Sequence, residues 1–292
     1  MLRSRVRALR HGVLATAIVL FVCLVVGLLS WLSYSDSRAV LSSLTSREVG
    51  EVVSYSDGAV EVRWPSGSAR VPYEDGVKFV GRQTQVAFDP ADPSRAVIPG
   101  SNQFVDTDRA LGGVTFSLAV ALLVVFAGLV RLVLAVRSAR AEAVTVPVRR
   151  IRLQSGLMVR SWLEIDGPVE RWLPVFYDPV LVTLPSPVDA ELRGGRVAFV
   201  DGVTIYPSGK AVTTHPRGRR LDNPAQPDPE TRAPRGLLAQ LRVDAVFMVP
   251  APFVGMFWAY LDGSGFTGWI TATVIAAVLG LWWGAFRGSD PS

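Results

Sequence analysis

Histidine and cysteine, which serve most often in acid–base, nucleophilic and zinc chemistry, are rare in this 292-residue sequence. The histidines are His11 and His215, and the cysteine is Cys23. Neither histidine has a Cys, Asp or Glu at zinc-ligand spacing. A Ser-His-Asp triad would need His215, which lies in a proline-rich stretch that is a poor support for a preorganised site. The sequence therefore predicts no catalytic residue, no cofactor and no metal site, and the protein is expected not to be an enzyme.

One stretch, residues 202–210 (GVTIYPSGK), ends like a phosphate-binding loop. That loop requires a glycine where this chain has Thr204. It also requires a magnesium-binding Ser or Thr where this chain has Ala211. We therefore interpret residues 207–209 (PSG) as a β-turn.

Four aspartates form a loose acidic group, namely Asp89, Asp92, Asp106 and Asp108. Calcium takes about six to eight oxygen ligands from a tightly specified loop. The spacing of these aspartates provides no such loop. We interpret them as loop residues that cap turns or face solvent.

Any functional site would have to be supported by the secondary-structure elements of the chain. Four apolar blocks account for most of these elements. They are residues 13–32, 111–130, 243–261 and 268–286, and hydrophobic residues make up 49% of the chain. A helix that crosses a bilayer needs about 20 such residues. The apolar region of a cleaved signal peptide, the alternative for the first block, has about 7–15. The sequence predicts an α-helical membrane protein with four spans and two small β-rich extramembrane modules.

Basic residues are distributed unevenly around these blocks. One set of block ends carries most of them, including Arg10, Arg131, Arg140, Arg242 and Arg287. The opposite ends carry Arg38, Arg47, Arg95 and Arg109. Because basic residues resist translocation, we predict a multi-pass protein of the inner (plasma) membrane with both termini in the cytoplasm.

The predicted layout assigns every segment to one side of this membrane. Residues 33–110 form an extracytoplasmic β-module. The cytoplasm holds the N-terminus (1–12), a helix extension with a β-rich module (131–214), a linker region (215–242) and the C-terminus (287–292). The linker region combines a proline-rich stretch with residues 235–242 (RGLLAQLR), which form either an interfacial helix or the start of the third span.

The extracytoplasmic segment has the signals of a small barrel, of the SH3-like or OB kind. Strand patterns occur at residues 48–55, 59–64, 69–73 and 84–88, with an Asp57-Gly58 hairpin turn after the first. Strict alternation at 59–64 predicts that Val60, Val62 and Trp64 share one buried face. The following DPADPS, residues 89–94, is expected to end the sheet because proline cannot donate to a strand ladder.

Residues 49–100 also carry a recognisable pattern. It consists of a G-x-V near the start, VPY at 71–73, VG at 80–81 and V-x-F-D-P-x-D-P-S from Val86. The pattern resembles an uncharacterised (DUF-type) family of bacterial membrane proteins in which a short β-domain sits between two transmembrane helices. The resemblance covers residues 10–135. It implies this architecture and no activity, since the family has no assigned catalytic residues.

Strand signals return after the second block. They lie at residues 146–153, 158–165, 171–177, 180–184, 188–193, 196–200 and 203–206, and several are separated by Gly-containing turns. Residues 215–235 hold five prolines and little apolar mass. We expect this stretch to be a poorly ordered linker.

Two sets of residues are candidates for contacts with lipid or helices. Arg217, Arg219 and Arg220 form a basic cluster that would attract anionic headgroups. Ala276, Gly280 and Gly284 have the small-xxx-small spacing that allows close approach of another helix.

These patterns favour a non-catalytic envelope scaffold or accessory protein whose β-modules bind partners. The expected partners are the lipid bilayer and another membrane or envelope protein, with no nucleic acid. One alternative is a component of a small oligomeric transporter or channel. The other is a membrane-bound enzyme with an unrecognised site in the cytoplasmic β-module.

Overall fold

A computed structural model of the chain describes residues 10–74, 79–184, 187–200, 202–221 and 236–292. The chain forms two compact units, a smaller one of Cys23–Val120 and a larger one of Met1–Val22 with Ala121–Ser292. The N-terminal arginines before Arg10 and residues 222–235 of the predicted linker lie outside the described residues.

Within the described residues, four helical segments are long and apolar enough to cross a membrane. They are Arg10–Ser43 (α1), Asn102–Ala139 (α2), Leu237–Asp262 and Gly265–Arg287 (α6). Many of their aromatic side chains are exposed, and Phe21, Phe126 and Phe253 are 65%, 66% and 68% exposed. Such exposure is unfavourable in water and favourable in lipid. The four apolar helices that were predicted are therefore present.

The third of these segments is interrupted, whereas the sequence predicted a single span over residues 243–261. Helix α4, Leu237–Asp244, passes into a 3-10 segment at Ala245–Met248, and helix α5 begins afresh at Ala251–Asp262. Pro250 and Pro252 lie at the start of α5. Proline lacks an N–H, so it is tolerated in the first turn of a helix and not in its interior. The prolines therefore separate α4 from α5.

The smaller unit contains a five-stranded antiparallel sheet. Its strands are β1 (Ser46–Ser56), β2 (Ala59–Trp64), β3 (Gly67–Pro72), β4 (Gln83–Asp89) and β5 (Asp92–Val97), in the order β3-β2-β1-β4-β5. Strand β1 pairs with β4 through its first half and with β2 through its second half. A Cβ added to Gly67 of β3 would lie 3.2 Å from Pro93 of β5, so the sheet curls until its two edges meet. Of the two predicted barrel kinds, this strand order fits the OB kind.

The first hairpin of this sheet confirms the local predictions. Asp57 and Gly58 have φ values of 49° and 70°, as a two-residue type I′ turn requires. Val60, Val62 and Trp64 are buried, and they form a core with residues of the neighbouring strands. The alternation of β2 therefore predicted its buried face correctly.

The prediction that DPADPS ends the sheet is wrong, because Asp92 begins strand β5. The register between β4 and β5 shifts after Phe88, so Pro93 sits in an irregular stretch of an edge strand where no ladder donor is required. Asp89 and Asp92 cap turns as interpreted, whereas Asp106 and Asp108 are not loop residues but exposed positions in the first turns of helix α2. Asp89 Oδ1 accepts from the Ala91 N–H at 2.9 Å, and Asp92 Oδ1 accepts from the Ser94 N–H at 3.2 Å.

The larger unit contains a second curled sheet. Its strands are β6 (Ala143–Ser155), β7 (Met158–Ile165), β8 (Arg171–Val175), β9 (Val188–Arg193), β10 (Val197–Val200), β11 (Val203–Ile205) and β12 (Arg219–Leu221). Their order is β11-β10-β9-β6-β7-β8, and β12 pairs with β6. Beyond β11 the chain returns to β8, where Phe176 donates its N–H to the Tyr206 carbonyl at 2.9 Å. The core between these strands is aliphatic.

Two predictions for this unit differ from the structure. Val180–Thr183, within the predicted strand 180–184, is a short helix, α3. Pro179 starts it, and Asp178 Oδ1 accepts the Val180 N–H at 3.0 Å, which stabilises a helical turn despite three β-branched residues. Residues 219–221 of the predicted linker form β12 because they supply partners to the free edge of β6.

Candidate functional site

The C-terminal segment, residues 289–292, lies along strand β7 of the larger unit. Ser289 forms an antiparallel bridge with Arg160, and the Asp290 N–H donates to the Val159 carbonyl at 2.8 Å. Strand β8 pairs with residues 161–165 of β7 and leaves the first half of β7 uncovered on that side. The segment therefore covers a strand edge that would otherwise be open.

A buried ion pair anchors this segment to the sheet. Arg150 of β6 donates from Nη2 to Asp290 Oδ2 at 2.8 Å, and the Ser161 hydroxyl donates to the same oxygen at 2.5 Å. Asp290 Oδ1 accepts from the backbone N–H of Ser292 at 2.9 Å and from its hydroxyl at 2.6 Å. The side chains of Arg150 and Asp290 are 5% and 0% exposed.

The electrostatics of the site keep Asp290 ionised. Burial by itself raises the pKa of its carboxyl, but Arg150 and the hydrogen bonds from Ser161 and Ser292 outweigh burial and lower the pKa below its ordinary value. Arg152 adds a second positive charge, with its Nε 3.7 Å from Asp290 Oδ2. The carboxylate is therefore a fixed negative charge between cations.

This arrangement is suited to holding structure rather than to reacting. A carboxylate offers about four acceptor sites, and Asp290 already accepts four hydrogen bonds. The Ser161 hydroxyl is held as well, since it accepts from Arg150 Nε at 3.0 Å. Neither oxygen of Asp290 is left to take a proton from a substrate.

A second buried carboxyl, Asp244, contacts the same segment. It lies at the end of α4, is fully buried, and accepts a short hydrogen bond from the Ser289 hydroxyl through Oδ1. Its Oδ2 atom has no hydrogen-bond partner among the described residues. The C-terminal segment thus joins α4 to the β-sheet through two adjacent side chains, Ser289 and Asp290.

The predicted helix-packing residues lie against the interruption of the third apolar segment. A Cβ on Gly280 would collide with the carbonyl of Phe247, and one on Gly284 would lie 2.9 Å from Asp244 Oδ1. Ala276 is half-buried one helical turn earlier. Gly280 and Gly284 therefore face α4 and the 3-10 segment.

Close packing between α5 and α6 occurs instead at a residue that the sequence did not single out, Gly255. A Cβ there would lie 2.8 Å from the Trp269 carbonyl oxygen and 2.9 Å from the Thr273 backbone nitrogen. Gly255 lies four positions from both Ala251 and Ala259, which is the same small-xxx-small spacing. The signal was therefore present in the sequence, although the prediction applied it only to the last apolar block.

The basic cluster predicted to contact lipid lies at the surface of the second sheet. Arg217, Arg219 and Arg220 are exposed. Arg219 and Arg220 belong to β12, opposite Gln154 and Leu153 of β6. These arginines take no part in the ion-pair site.

Residues 202–210, which end like a phosphate-binding loop, contain strand β11 followed by a bend that contacts β8. Pro207 bridges to Val175, and the Ser208 N–H donates to the Pro174 carbonyl at 2.8 Å. Ser208 itself is buried. The bend fits the turn interpretation.

Arg150 and Asp290 were not predicted as site residues. The available signal was the spacing of Val148 and Arg150, which puts an arginine on the same buried side of β6 as a valine. Nothing near Asp290 indicated its partner, since the two residues are 140 positions apart.

Comparison of the chain with protein-family models, with characterised proteins and with solved structures found no match. The resemblance of residues 10–135 to a DUF-type family stays a prediction.

Proposed function

We propose that this chain is a multi-pass bacterial membrane protein that acts as a non-catalytic envelope scaffold or accessory protein. Its two β-modules would bind partner proteins, and its helices would hold them at the inner (plasma) membrane. Four long apolar helices, with exposed aromatic side chains on each of them, support the membrane assignment.

The observation that carries the proposal is the saturation of Asp290. This carboxylate has four hydrogen bonds and an ion pair, all to residues of the chain. Catalytic acids and bases need an accessible lone pair or proton. A buried cluster with neither supports a role in holding the β-sheet to the end of α6.

The proposed topology places both termini in the cytoplasm, residues 33–110 outside it and residues 131–242 inside. The support is the uneven distribution of arginine at the ends of the apolar blocks. Under this topology the smaller sheet would meet envelope partners and the larger sheet would meet cytoplasmic or membrane partners.

Each module offers an exposed apolar side chain for partner contact. Val49 on β1 is 58% exposed, and Leu157 in the β6–β7 turn is 70% exposed. A photoreactive residue introduced at either position in the full chain would report contact in native membranes. We expect at least one position to crosslink to a distinct membrane or envelope protein, identified by mass spectrometry.

The control is the same photoreactive residue at Ser56, an exposed polar position at the hairpin end. A partner that crosslinks equally at Ser56 and at the apolar positions is a random neighbour and counts against the proposal. Crosslinks to lipid alone at Val49 and Leu157 also contradict it.

A second candidate function, a transporter or channel component, is favoured by Asp244. A fully buried carboxyl beside an interrupted apolar helix is typical of ion pathways. The purified chain in proteoliposomes would then conduct protons or sodium in a dye assay, and Asp244→Asn would abolish the flux. Absence of flux in the unchanged protein excludes this candidate for these two ions.

A further inference from the structure

Three arginines of the larger unit converge on the bend that contains Ser208. Arg131 of α2 donates from Nη2 to the Ser208 carbonyl at 3.1 Å, and Arg160 of β7 donates from Nη2 to the Ser208 hydroxyl at 3.1 Å. The backbone of Arg287 lies close to the same bend, because its neighbour Gly288 packs against Ser208. A Cβ added to Gly288 would lie 2.6 Å from the Ser208 Cβ. Three elements distant in sequence therefore deliver positive charge to one place.

These charges lack a neutralising partner in the part of the chain that the structure describes. No carboxylate of the described residues forms an ion pair with Arg131, Arg160 or Arg287, while Asp290 is paired with Arg150 and Arg152. Burial, and then repulsion from Arg287 and Arg131, lower the pKa of the Arg160 guanidinium to about 10. The group repels itself and would be stabilised by an anion.

The remaining donors of the group indicate where an anion would bind. Arg131 donates hydrogen bonds from its two Nη atoms to the Phe286 and Ser208 carbonyls, and its guanidinium lies over the Phe286 ring. The Nε of Arg160 is buried and has no hydrogen-bond partner among the described residues, which is uncommon for a native donor. Arg287 is exposed and lies over the Trp283 ring. Arg160 therefore offers an inner donor and Arg287 an outer one.

The position of the group at the ends of two apolar blocks limits the chemical class of the anion. Arg131 directly follows the apolar block 111–130, and Arg287 directly follows the block 268–286. In a membrane protein the ends of such apolar blocks lie at the level of the lipid headgroups, where phosphates are concentrated. Guanidinium groups bind phosphate oxygens with paired hydrogen bonds.

We infer that Arg160 and Arg287 form a binding site for a phosphate group beside Ser208, and that the positive charge of Arg131 supports it. An anionic phospholipid headgroup or a soluble phosphate would supply that group, and both would use the same donors. The lipid source rests on the proposed membrane placement, whereas the phosphate chemistry does not.

The lipid arm of the test uses the full chain in nanodiscs that contain phosphatidylcholine with or without phosphatidylglycerol. Native mass spectrometry measures the affinity for retained phosphatidylglycerol. Because Arg287 is exposed, Arg287→Gln should fold, and we expect it to weaken that affinity about fivefold. Arg287→Lys keeps the charge and should retain most of it. The matched control, Arg137→Gln, removes an exposed arginine from α2 and should change the affinity less than about twofold.

The soluble arm measures the melting temperature of the delipidated protein in detergent with inorganic phosphate against chloride at equal ionic strength. A phosphate-dependent rise that Arg287→Gln abolishes, without selectivity for phosphatidylglycerol, assigns the site to soluble phosphate. Selective lipid binding that depends on Arg287 assigns it to the headgroup. If the protein responds to neither ligand, or if Arg137→Gln acts as strongly as Arg287→Gln, the site does not exist. If the crosslinking experiment finds no protein partner, the results of these phosphate and lipid measurements do not change. The scaffold proposal and the phosphate-site proposal can therefore fail separately.

Discussion

At the scale of single residues, the Arg150–Asp290 pair is the contact whose loss should cost most. Both side chains are almost completely buried, and removing one partner of such a pair leaves a charge without compensation. We expect Asp290→Asn to lower the free energy of unfolding by about 3 kcal/mol. Thermal unfolding in detergent measures this loss. The exposed Asp166→Asn is the control and should have no effect.

The lowered pKa of Asp290 also predicts how stability depends on pH. A carboxyl whose pKa is lowered by folding stabilises the native state above the pKa of the unfolded chain, about 3.9. That stabilisation is lost as the pH falls through the folded pKa. We therefore expect constant stability from this group near neutrality and an acid limb below about pH 4. Asp290→Asn should flatten the limb, and an equally steep limb in the variant would assign it to other carboxyls.

At the scale of elements, α6 depends on two glycines for its packing against α4 and the 3-10 segment. A Cβ at Gly284 would lie 2.9 Å from both Asp244 Oδ1 and the Phe247 ring. We expect Gly284→Ala to lower stability by about 1–3 kcal/mol through overpacking. Gly128→Ala in α2 is the control, since nothing lies within 4 Å of its Cβ position. Helix propensity alone should make that control neutral or slightly stabilising, so equal losses in the two variants contradict the packing role.

The first hairpin of the smaller unit depends on a backbone conformation. Asp57 and Gly58 both have positive φ, a region that is costly for a β-branched residue. Gly58→Val in the full chain should therefore destabilise the smaller unit by about 1–3 kcal/mol. Gly58→Asn should retain the turn because asparagine tolerates positive φ. Limited proteolysis between β1 and β2 measures the difference, and identical cleavage of the two variants would argue against this turn.

At the scale of the whole molecule, the predicted topology can be tested with two exposed serines. In a Cys23→Ala background, Ser56→Cys should react with a membrane-impermeant thiol reagent in intact cells, and Ser155→Cys should react only after permeabilisation. The reason is the uneven distribution of arginine around the apolar blocks. The reverse labelling pattern would show that the topology is opposite to the predicted one.

The whole-molecule arrangement also explains why the C-terminal segment is buried. In the larger unit the segment continues β7 pairing where β8 stops, and Ser289 and Asp290 bind Asp244 and Arg150 respectively. A sheet edge is thereby covered and two buried polar groups gain partners. The last helix and the β-sheet are consequently joined by hydrogen bonds as well as by chain continuity.

The sequence by itself determined the features that depend on neighbouring residues. The length of the apolar blocks predicts the four apolar helices, and alternation with a period of two predicts the buried face of β2. The Asp57-Gly58 turn follows from the tolerance of these two residue types for positive φ. Each of these is set by a few consecutive side chains, and the structure has all of them.

Only the tertiary structure decided the contacts between distant residues. The strand order of each sheet, the helix at Val180–Thr183, strand β5 and the Arg150–Asp290 pair all depend on which strand edge or buried charge lies nearby. Arg150 and Asp290 are 140 positions apart. Local periodicity contains no information on such a pairing, because burial and partner geometry exist only once the chain has folded.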